Sequence, residues 1–224
     1  MMAELRIEVF DDADAMGRAA AAFVADRASG AVRDQGGFTF AVSGGHTPWA
    51  MFSALRAENM PWPSTQIFQV DERVAAGGDA DRNLTHLQAS LPPDLTTGVV
   101  VHPMPVEDDD LEVAADRYAS EIPARFDLIH LGLGPDGHTA SLVPNDPVLE
   151  VRDRDVALTG EYQGRRRMTL TYPVLDRAHQ VLWLVAGADK VDALARLRAG
   201  DPSIPAGRVR AENQVIFADR TAAR

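Results

Sequence analysis

The residues in this chain best suited to move a proton lie in the segment Leu131-Gly-Leu-Gly-Pro-Asp-Gly-His-Thr-Ala-Ser-Leu142. A free imidazole titrates near neutrality, so it can take a proton from water, above all when a carboxylate fixes its tautomer. His138 is therefore the leading catalytic candidate, with water as the simplest nucleophile to activate. Asp136 has two roles open to it at this level, an amide contact that holds the loop and indirect orientation of His138. Three glycines ahead of the histidine let a ligand approach the backbone closely. Phe126 to Leu131 reads as a central strand entering this loop, and His138 to Leu142 as the first turn of a helix. Ser141 would then lie on a helix surface, and no Gly-x-Ser-x-Gly elbow surrounds it to support a covalent serine mechanism.

Four other segments carry charge or free amides. Ser43-Gly-Gly-His-Thr-Pro-Trp49 follows the apolar run Phe38 to Val42. Its glycines permit a tight turn, Pro48 suits a first helical turn, and the amides from Ser43 through Gly44, Gly45, His46 and Thr47 are placed to receive a phosphate. The segment lacks the Lys-Ser/Thr ending of a Walker loop and the full Gly-x-Gly-x-x-Gly dinucleotide pattern, which argues against a nucleotide cofactor. Asp71-Glu-Arg-Val74 follows the run Gln66 to Val70, so Asp71 is placed to orient a sugar hydroxyl and Arg73 to meet a phosphate or a developing oxyanion. A salt-bridged loop with Arg82, capped by Asn83, is the plainer alternative. Arg165-Arg-Arg167 precedes Met168 to Thr171, and Lys190 follows Val181 to Ala186 at a helix start. A lysine opposes the dipole there, so a bound anion would give it a reason, and Arg167 with Lys190 becomes a candidate phosphate clamp.

These residues need a scaffold, and the pattern supplies one. Strand-like runs at Leu5–Phe10, Phe38–Val42, Gln66–Val70, Val99–Val101, Phe126–Leu131, Met168–Thr171, Val181–Ala186 and Val215–Ala218 alternate with helical segments. The helices fall near Ala13–Arg33, Pro48–Glu58, Arg82–Ala89, Leu111–Ala119 and Lys190–Arg198. Several strands are apolar almost throughout, which predicts an α/β fold, a mostly parallel sheet with helices on both faces and binding groups at the strands' carboxyl ends. The 224 residues, 46% hydrophobic, suit a single domain over 1–224. A formal charge of −11 opposes nonspecific binding to nucleic acid or anionic membranes, and no run approaches a membrane span. The absence of cysteine removes disulfides, thiolate metal sites and a cysteine nucleophile. The histidines show no metal-ligand spacing; His130 reads as a core histidine, and Glu107 to Asp110 as a solvated helix start. The cytoplasm is the expected location, and monomer or weak homo-oligomer the expected state.

Taken in chain order, Ser43-Gly-Gly-His-Thr-Pro48, Asp71-Glu-Arg73, Asp81-Arg-Asn-Leu84, Gly132 to Leu142, Arg167-Met-Thr-Leu-Thr171 and Ala186-Gly-Ala-Asp-Lys190 resemble the 6-phosphogluconolactonase family. That family belongs to a wider group with glucosamine-6-phosphate isomerases/deaminases. The resemblance implies a modified Rossmann-like fold, no cofactor and no metal. It also implies hydrolysis of 6-phospho-D-glucono-1,5-lactone to 6-phosphogluconate in the oxidative pentose phosphate pathway. His138 resembles the general base, while Ser43, Gly44, Gly45, Arg73, Arg167 and Lys190 resemble the phosphate- and substrate-binding set. His46 departs from the serine usual in the lactonase pattern, so a hydroxyl contact there is either replaced by imidazole or lost. The deaminase branch resembles Asp-Glu-Tyr in the second loop and carries a glutamate after its glycine-histidine motif. Here the second loop reads Asp71-Glu-Arg73 and that glutamate is absent from Gly137-His-Thr-Ala-Ser-Leu-Val-Pro144, so the lactonase branch is preferred. A noncatalytic sugar-phosphate-binding regulator is the more distant rival.

Overall fold

Strands β2 (Phe38–Val42), β6 (Leu128–Gly132), β9 (Val181–Val185) and β10 (Gln214–Asp219) form the centre of a seven-stranded parallel sheet. The computed structural model describes residues 5–91 and 98–224. Flanking strands β1 (Arg6–Phe10), β3 (Thr65–Gln69) and β5 (Val100–His102) complete the order β1-β10-β9-β6-β2-β3-β5. Side chains alternate across the sheet, so each central strand feeds two cores. On β9, Leu182 and Leu184 face one core and Val181, Trp183 and Val185 the other. The first core is closed by α1 (Ala13–Gln35), α2 (His46–Ala54) and α3 (Asn83–Ser90). The second is closed by α4 (Leu111–Glu121), α5 (Tyr172–Asp176) and α6 (Val191–Arg198). Burial on both faces is what the nearly continuous apolar runs of a parallel strand require.

Helix ends follow local chemistry. Asp12 accepts the Ala15 amide at 2.7 Å and starts α1, which stops at Gly36 in the left-handed region with φ of 83°. In the acidic run before α4, Asp110 accepts the amides of Glu112 and Val113, a cap of the kind that contributes about 1 kcal/mol. Most boundaries lie within a few residues of those the periodicity predicts.

Three expectations need correction. The run expected as Met168–Thr171 is strand β8 (Arg167–Leu170), and it lies outside the main sheet. It pairs antiparallel with β4 (Asp71–Arg73) and β7 (Val156–Leu158) in a separate three-stranded sheet. The reason is in its pattern: Met168 and Leu170 enter the second core, while Thr169 and Arg167 alternate with them. Such alternation of apolar and polar residues suits an antiparallel strand with one apolar face, not the continuously apolar strand of a parallel sheet, although all four residues are buried. Asp71–Arg73 is thus a strand and not a loop, and Val156–Leu158 is a strand that the apolar periodicity did not reveal. Lastly, His138 to Leu142 is not a helical turn: Thr139 and Leu142 form an isolated bridge, and Ala140 has φ of 50°.

Candidate active site

The chain leaves β2 toward β3 on one side of the sheet, whereas β6 and β9 lie on the other, so the order reverses between β2 and β6. At such a switch point the outgoing loops diverge and leave a crevice at the strands' carboxyl ends. The recorded β2–β6 pairing covers only Phe40–Leu128 and Ala41–Ile129. Beyond it, the Ser43 amide donates to Nδ1 of His130 at 3.3 Å, and the Ser43 hydroxyl donates to the His130 carbonyl at 3.2 Å. Burial holds the His130 imidazole down to a pKa of about 3, so it is neutral and accepts the amide. His130 is a core histidine, as its strand position predicts, and it anchors the first residue of the glycine loop.

A cavity of about 430 Å³ opens over this crevice and brings together Ser43, Gly44, Gly45, Thr47, Asp71, Arg73, His138, Arg167 and Lys190. Among the described residues no side chain caps the first turn of α2 at Gly45, a helix start suited to an anion. The side chain of His46 lies outside the described residues. A groove of similar size, about 420 Å³, sits at the opposite strand ends near Leu5 and Gln214, and among the described residues no histidine or carboxylate lines it.

Arg73 is positioned by a buried carboxylate that the motif reading passed over. Glu72 is wholly buried and accepts the amides of Arg73, Asn83 and Leu84, each at 2.8 Å, and the Gln69 side-chain amide at 2.9 Å. It therefore caps α3 and ties it to β4, with Arg82 Nε 3.5 Å away as its counter-ion. Asn83 donates to the Asp71 carbonyl at 2.9 Å and accepts from the Arg73 guanidinium, which also donates to the Asp81 carbonyl at 2.9 Å. The salt bridge to Arg82 is present as the plainer reading expects, but Asn83 is the first residue of α3 and not its cap, because Glu72 takes the amides there; Asp71 and Arg73 line the cavity. Gly44 is small because Asn83 stands against it; a Cβ there would lie 1.9 Å from Asn83 Oδ1.

Asp71 is buried and accepts the Ser141 hydroxyl at 2.6 Å and the Asn83 side chain at 3.3 Å. Ser141 is wholly buried, not on a helix surface, and its amide donates to the Thr169 hydroxyl at 3.2 Å. These bonds fold the segment after His138 against the small sheet.

The glycine loop itself is closed by the Gly134 amide donating to the His138 carbonyl at 2.9 Å. Gly137 turns the chain with φ of 82°, a conformation that costs a glycine little. His138 then meets Asp136 twice: its amide donates to Oδ1 at 3.1 Å and its Nδ1 lies 2.6 Å from the same oxygen. Asp136 thus fills both roles left open above, holding the loop and orienting the ring. Burial pushes the Asp136 carboxyl up, but the bonds and charge of His138 and the hydroxyl of Tyr162 outweigh it and leave the group below its ordinary value. With Nδ1 engaged as donor, the assigned tautomer leaves Nε2 as the basic nitrogen.

Arg167 opens β8 and is only 4% exposed, unlike its neighbours in the arginine run. Arg165 pairs with Asp79 and Asp81 at the surface. Burial holds the Arg167 guanidinium below its ordinary value, opposed by the charge of Asp71. Its Nε has no hydrogen-bond partner among the described residues, so a cation is buried with bonding capacity unspent. Lys190 differs from the expectation of an uncompensated helix-start lysine. It ends a short 3₁₀ turn (Ala188–Lys190) before α6, and Asp189 already pairs with its Nζ at 2.8 Å.

The arrangement combines an oriented imidazole, a buried arginine, a second arginine and a paired lysine with free helix amides. It suits an anionic ligand that carries an electrophilic carbon. Among the described residues, no group of three or more His, Cys, Asp or Glu side chains is placed to hold a metal ion, and no helix is long and apolar enough to cross a membrane.

Comparison with known proteins bears on the family and the fold. Residues 11–217 match the family described as glucosamine-6-phosphate isomerases/6-phosphogluconolactonase. A 6-phosphogluconolactonase from Synechocystis is 37% identical, covering 87% of this chain and 86% of the relative, and one from Nostoc is 32% identical over 94% and 93%. The crystal structure of a 6-phosphogluconolactonase from Shewanella baltica aligns with a TM-score of 0.89 at 23% identity, over 98% of this chain and 99% of that one. A monomeric glucosamine-6-phosphate deaminase aligns with a TM-score of 0.81 at 17% identity, over 98% and 99%, so likeness at this level speaks to the fold alone. From the match along nearly its whole length and from these relatives, the chain belongs to the glucosamine-6-phosphate isomerase/6-phosphogluconolactonase family.

Proposed function

We propose that this chain is a 6-phosphogluconolactonase that hydrolyses 6-phospho-D-glucono-1,5-lactone to 6-phospho-D-gluconate in the oxidative pentose phosphate pathway, using water activated by His138 and neither metal nor cofactor. The observation that carries this reading is the 2.6 Å contact between His138 Nδ1 and Asp136, which leaves Nε2 basic beside a cavity lined by Arg73, Arg167 and Lys190. In this mechanism Nε2 takes a proton from water as the oxygen attacks the lactone C1 carbonyl. The tetrahedral oxyanion is stabilised by a cationic or amide donor, with Arg73 the assigned group. The C1–ring oxygen bond then breaks, and the imidazolium returns its proton so that the ring oxygen leaves as the C5 hydroxyl. The Ser43-Gly44-Gly45-His46-Thr47 amides, Arg167 and Lys190 hold the phosphate, and Asp71 faces the sugar. The relatives' names and the fit of cations to a phosphorylated ligand support the substrate class. The protein acts in the cytoplasm as a monomer or weak homo-oligomer, with no nucleic-acid or membrane partner, a setting its charge of −11 favours.

The test follows loss of freshly generated lactone, with spontaneous hydrolysis subtracted. Absence of acceleration by folded protein, with ammonia released instead from glucosamine 6-phosphate, would assign the deaminase branch. The two cations should separate in size of effect. Arg167→Ala removes a buried charge-assisted contact and is expected to raise KM about 10- to 100-fold. Lys190, 19% exposed and already paired with Asp189, should contribute about 3- to 10-fold. Neither change should alter KM for the dephosphorylated lactone; an equal effect on both substrates would remove the clamp assignment.

A further inference from the structure

Between β7 and β8 the chain reverses through a tight turn whose two central residues, Gln163 and Gly164, have φ of 52° and 75°. The Tyr162 amide donates to the Arg165 carbonyl at 3.0 Å and the Arg165 amide returns the bond at 3.3 Å. Two successive positive φ values match the twist of the flanking strands, so this is a rigid hairpin tip and not a slack loop. That tip carries two side chains to the site. Gln163 accepts from Arg167 at 3.3 Å, and Tyr162 makes three contacts. Its hydroxyl donates to Asp136 Oδ2 at 3.2 Å, its ring meets the His138 ring edge-on with centroids 5.6 Å apart, and the Arg167 guanidinium lies 5.0 Å over its face.

Asp136 Oδ1 already takes both bonds from His138, so Oδ2 is where a second group can fix the carboxylate's rotation. Without that bond the carboxylate plane is free to turn, and the imidazole that hangs on Oδ1 turns with it. Arg167 stacks on the same ring that bonds Asp136, so one side chain touches both the proposed phosphate contact and the proposed base. The geometry points to Tyr162 as a positioning residue for lactone hydrolysis, one that orients the Asp136–His138 pair through its hydroxyl and seats Arg167 through its ring.

This inference rests on the lactonase reading for its kinetic consequences but not for its spectroscopic one. Tyr162→Phe keeps the ring beneath Arg167 and deletes only the bond to Asp136. The carboxylate then loses a competing donor and becomes a stronger acceptor for the imidazolium. The other charged groups that line the cavity with His138, Arg73 and Asp71 from β4, Arg167 from β8 and the Lys190–Asp189 pair after β9, are common to both proteins and cancel in the comparison.

The experiment measures kcat and KM for the lactone across pH. It also follows the Hε1 resonance of His138 by NMR, assigned through its loss in His138→Asn. Tyr162→Phe is expected to lower kcat about three- to tenfold with KM within about twofold, and to move the His138 titration midpoint upward. Tyr162→Ala is expected to show these changes and also to raise KM by about three- to tenfold as Arg167 loses its platform. A Tyr162→Phe protein with wild-type kcat and an unmoved midpoint overturns the proposal, as does one in which only KM changes. Wild-type protein that fails to hydrolyse lactone overturns the function and not this residue's role, because the NMR midpoint decides the latter without substrate.

Discussion

Replacing His138 by alanine is expected to lower kcat for lactone hydrolysis by about a thousandfold, some 4 kcal/mol of barrier, while affinity for 6-phosphogluconate stays within about twofold of wild type. The separation follows from where the groups sit. The proposed phosphate contacts come from the loop after β2, from β8 and from the turn before α6, and none depends on the imidazole. His138 stands on the loop after β6, where its side chain is 23% exposed and, among the described residues, hydrogen-bonds Asp136 alone. Truncating it opens no apolar core, so the variant should unfold at close to the wild-type temperature. Asparagine is the stricter replacement, since it keeps a polar group near Asp136 but cannot take the proton. Stopped-flow or pH-stat rates on fresh substrate give kcat, and calorimetric titration with product gives affinity. A folded His138→Ala protein that turns over at the wild-type rate removes the histidine from the base role; loss of product affinity in step with rate would make it a binding group instead.

The contrast between what periodicity shows and what it hides in this chain follows contact range. β2, β6, β9 and β10 declare themselves because strands buried on both faces must be apolar nearly throughout. The Asp136–His138 pair is visible because its members are two residues apart on one loop. Ser141 is the opposite case. Locally, Thr139-Ala-Ser-Leu142 reads as a helix start, but the bond that decides its conformation runs to Asp71, 70 residues away. Glu72 looks like one more surface acid between Asp71 and Arg73, and its burial makes sense only once α3 is docked with two amides pointing at it. Tyr162 likewise lies in a polar hairpin with no apolar period, 26 residues from the aspartate it touches. Arg167 stands out in the sequence as a candidate phosphate contact, but not as a buried one; the alternation Arg-Met-Thr-Leu makes it the first residue of a strand rather than the last of a loop.

Gly134→Ala is expected to abolish most activity while leaving the fold intact, the reverse of what alanine does three residues later. The backbone at Gly134 does not lie in the left-handed region, so an L residue is conformationally allowed there. What the position lacks is room: a Cβ would lie 2.1 Å from His138 Nδ1, 2.3 Å from its Cε1 and 2.7 Å from Asp136 Oδ1. No ordinary contact is that close, so the ring must move by about 1 Å or more and break its bond to Asp136. A misplacement of that size costs about a hundredfold in rate. The move itself is inexpensive because the imidazole is partly exposed and can swing toward solvent. Gly137 differs on both counts. Its φ is 82°, which costs an alanine roughly 1–2 kcal/mol, and a Cβ would lie 2.5 Å from Cβ of Ile204, itself buried. Gly137→Ala should therefore melt several degrees lower, whereas Gly134→Ala should melt near wild type with kcat down about a hundredfold. Parallel thermal melts and initial rates on the two variants separate a glycine kept for space from one kept for backbone conformation. Wild-type kcat in Gly134→Ala would mean that the base tolerates displacement from Asp136, and the orienting role of that carboxylate would fall with it.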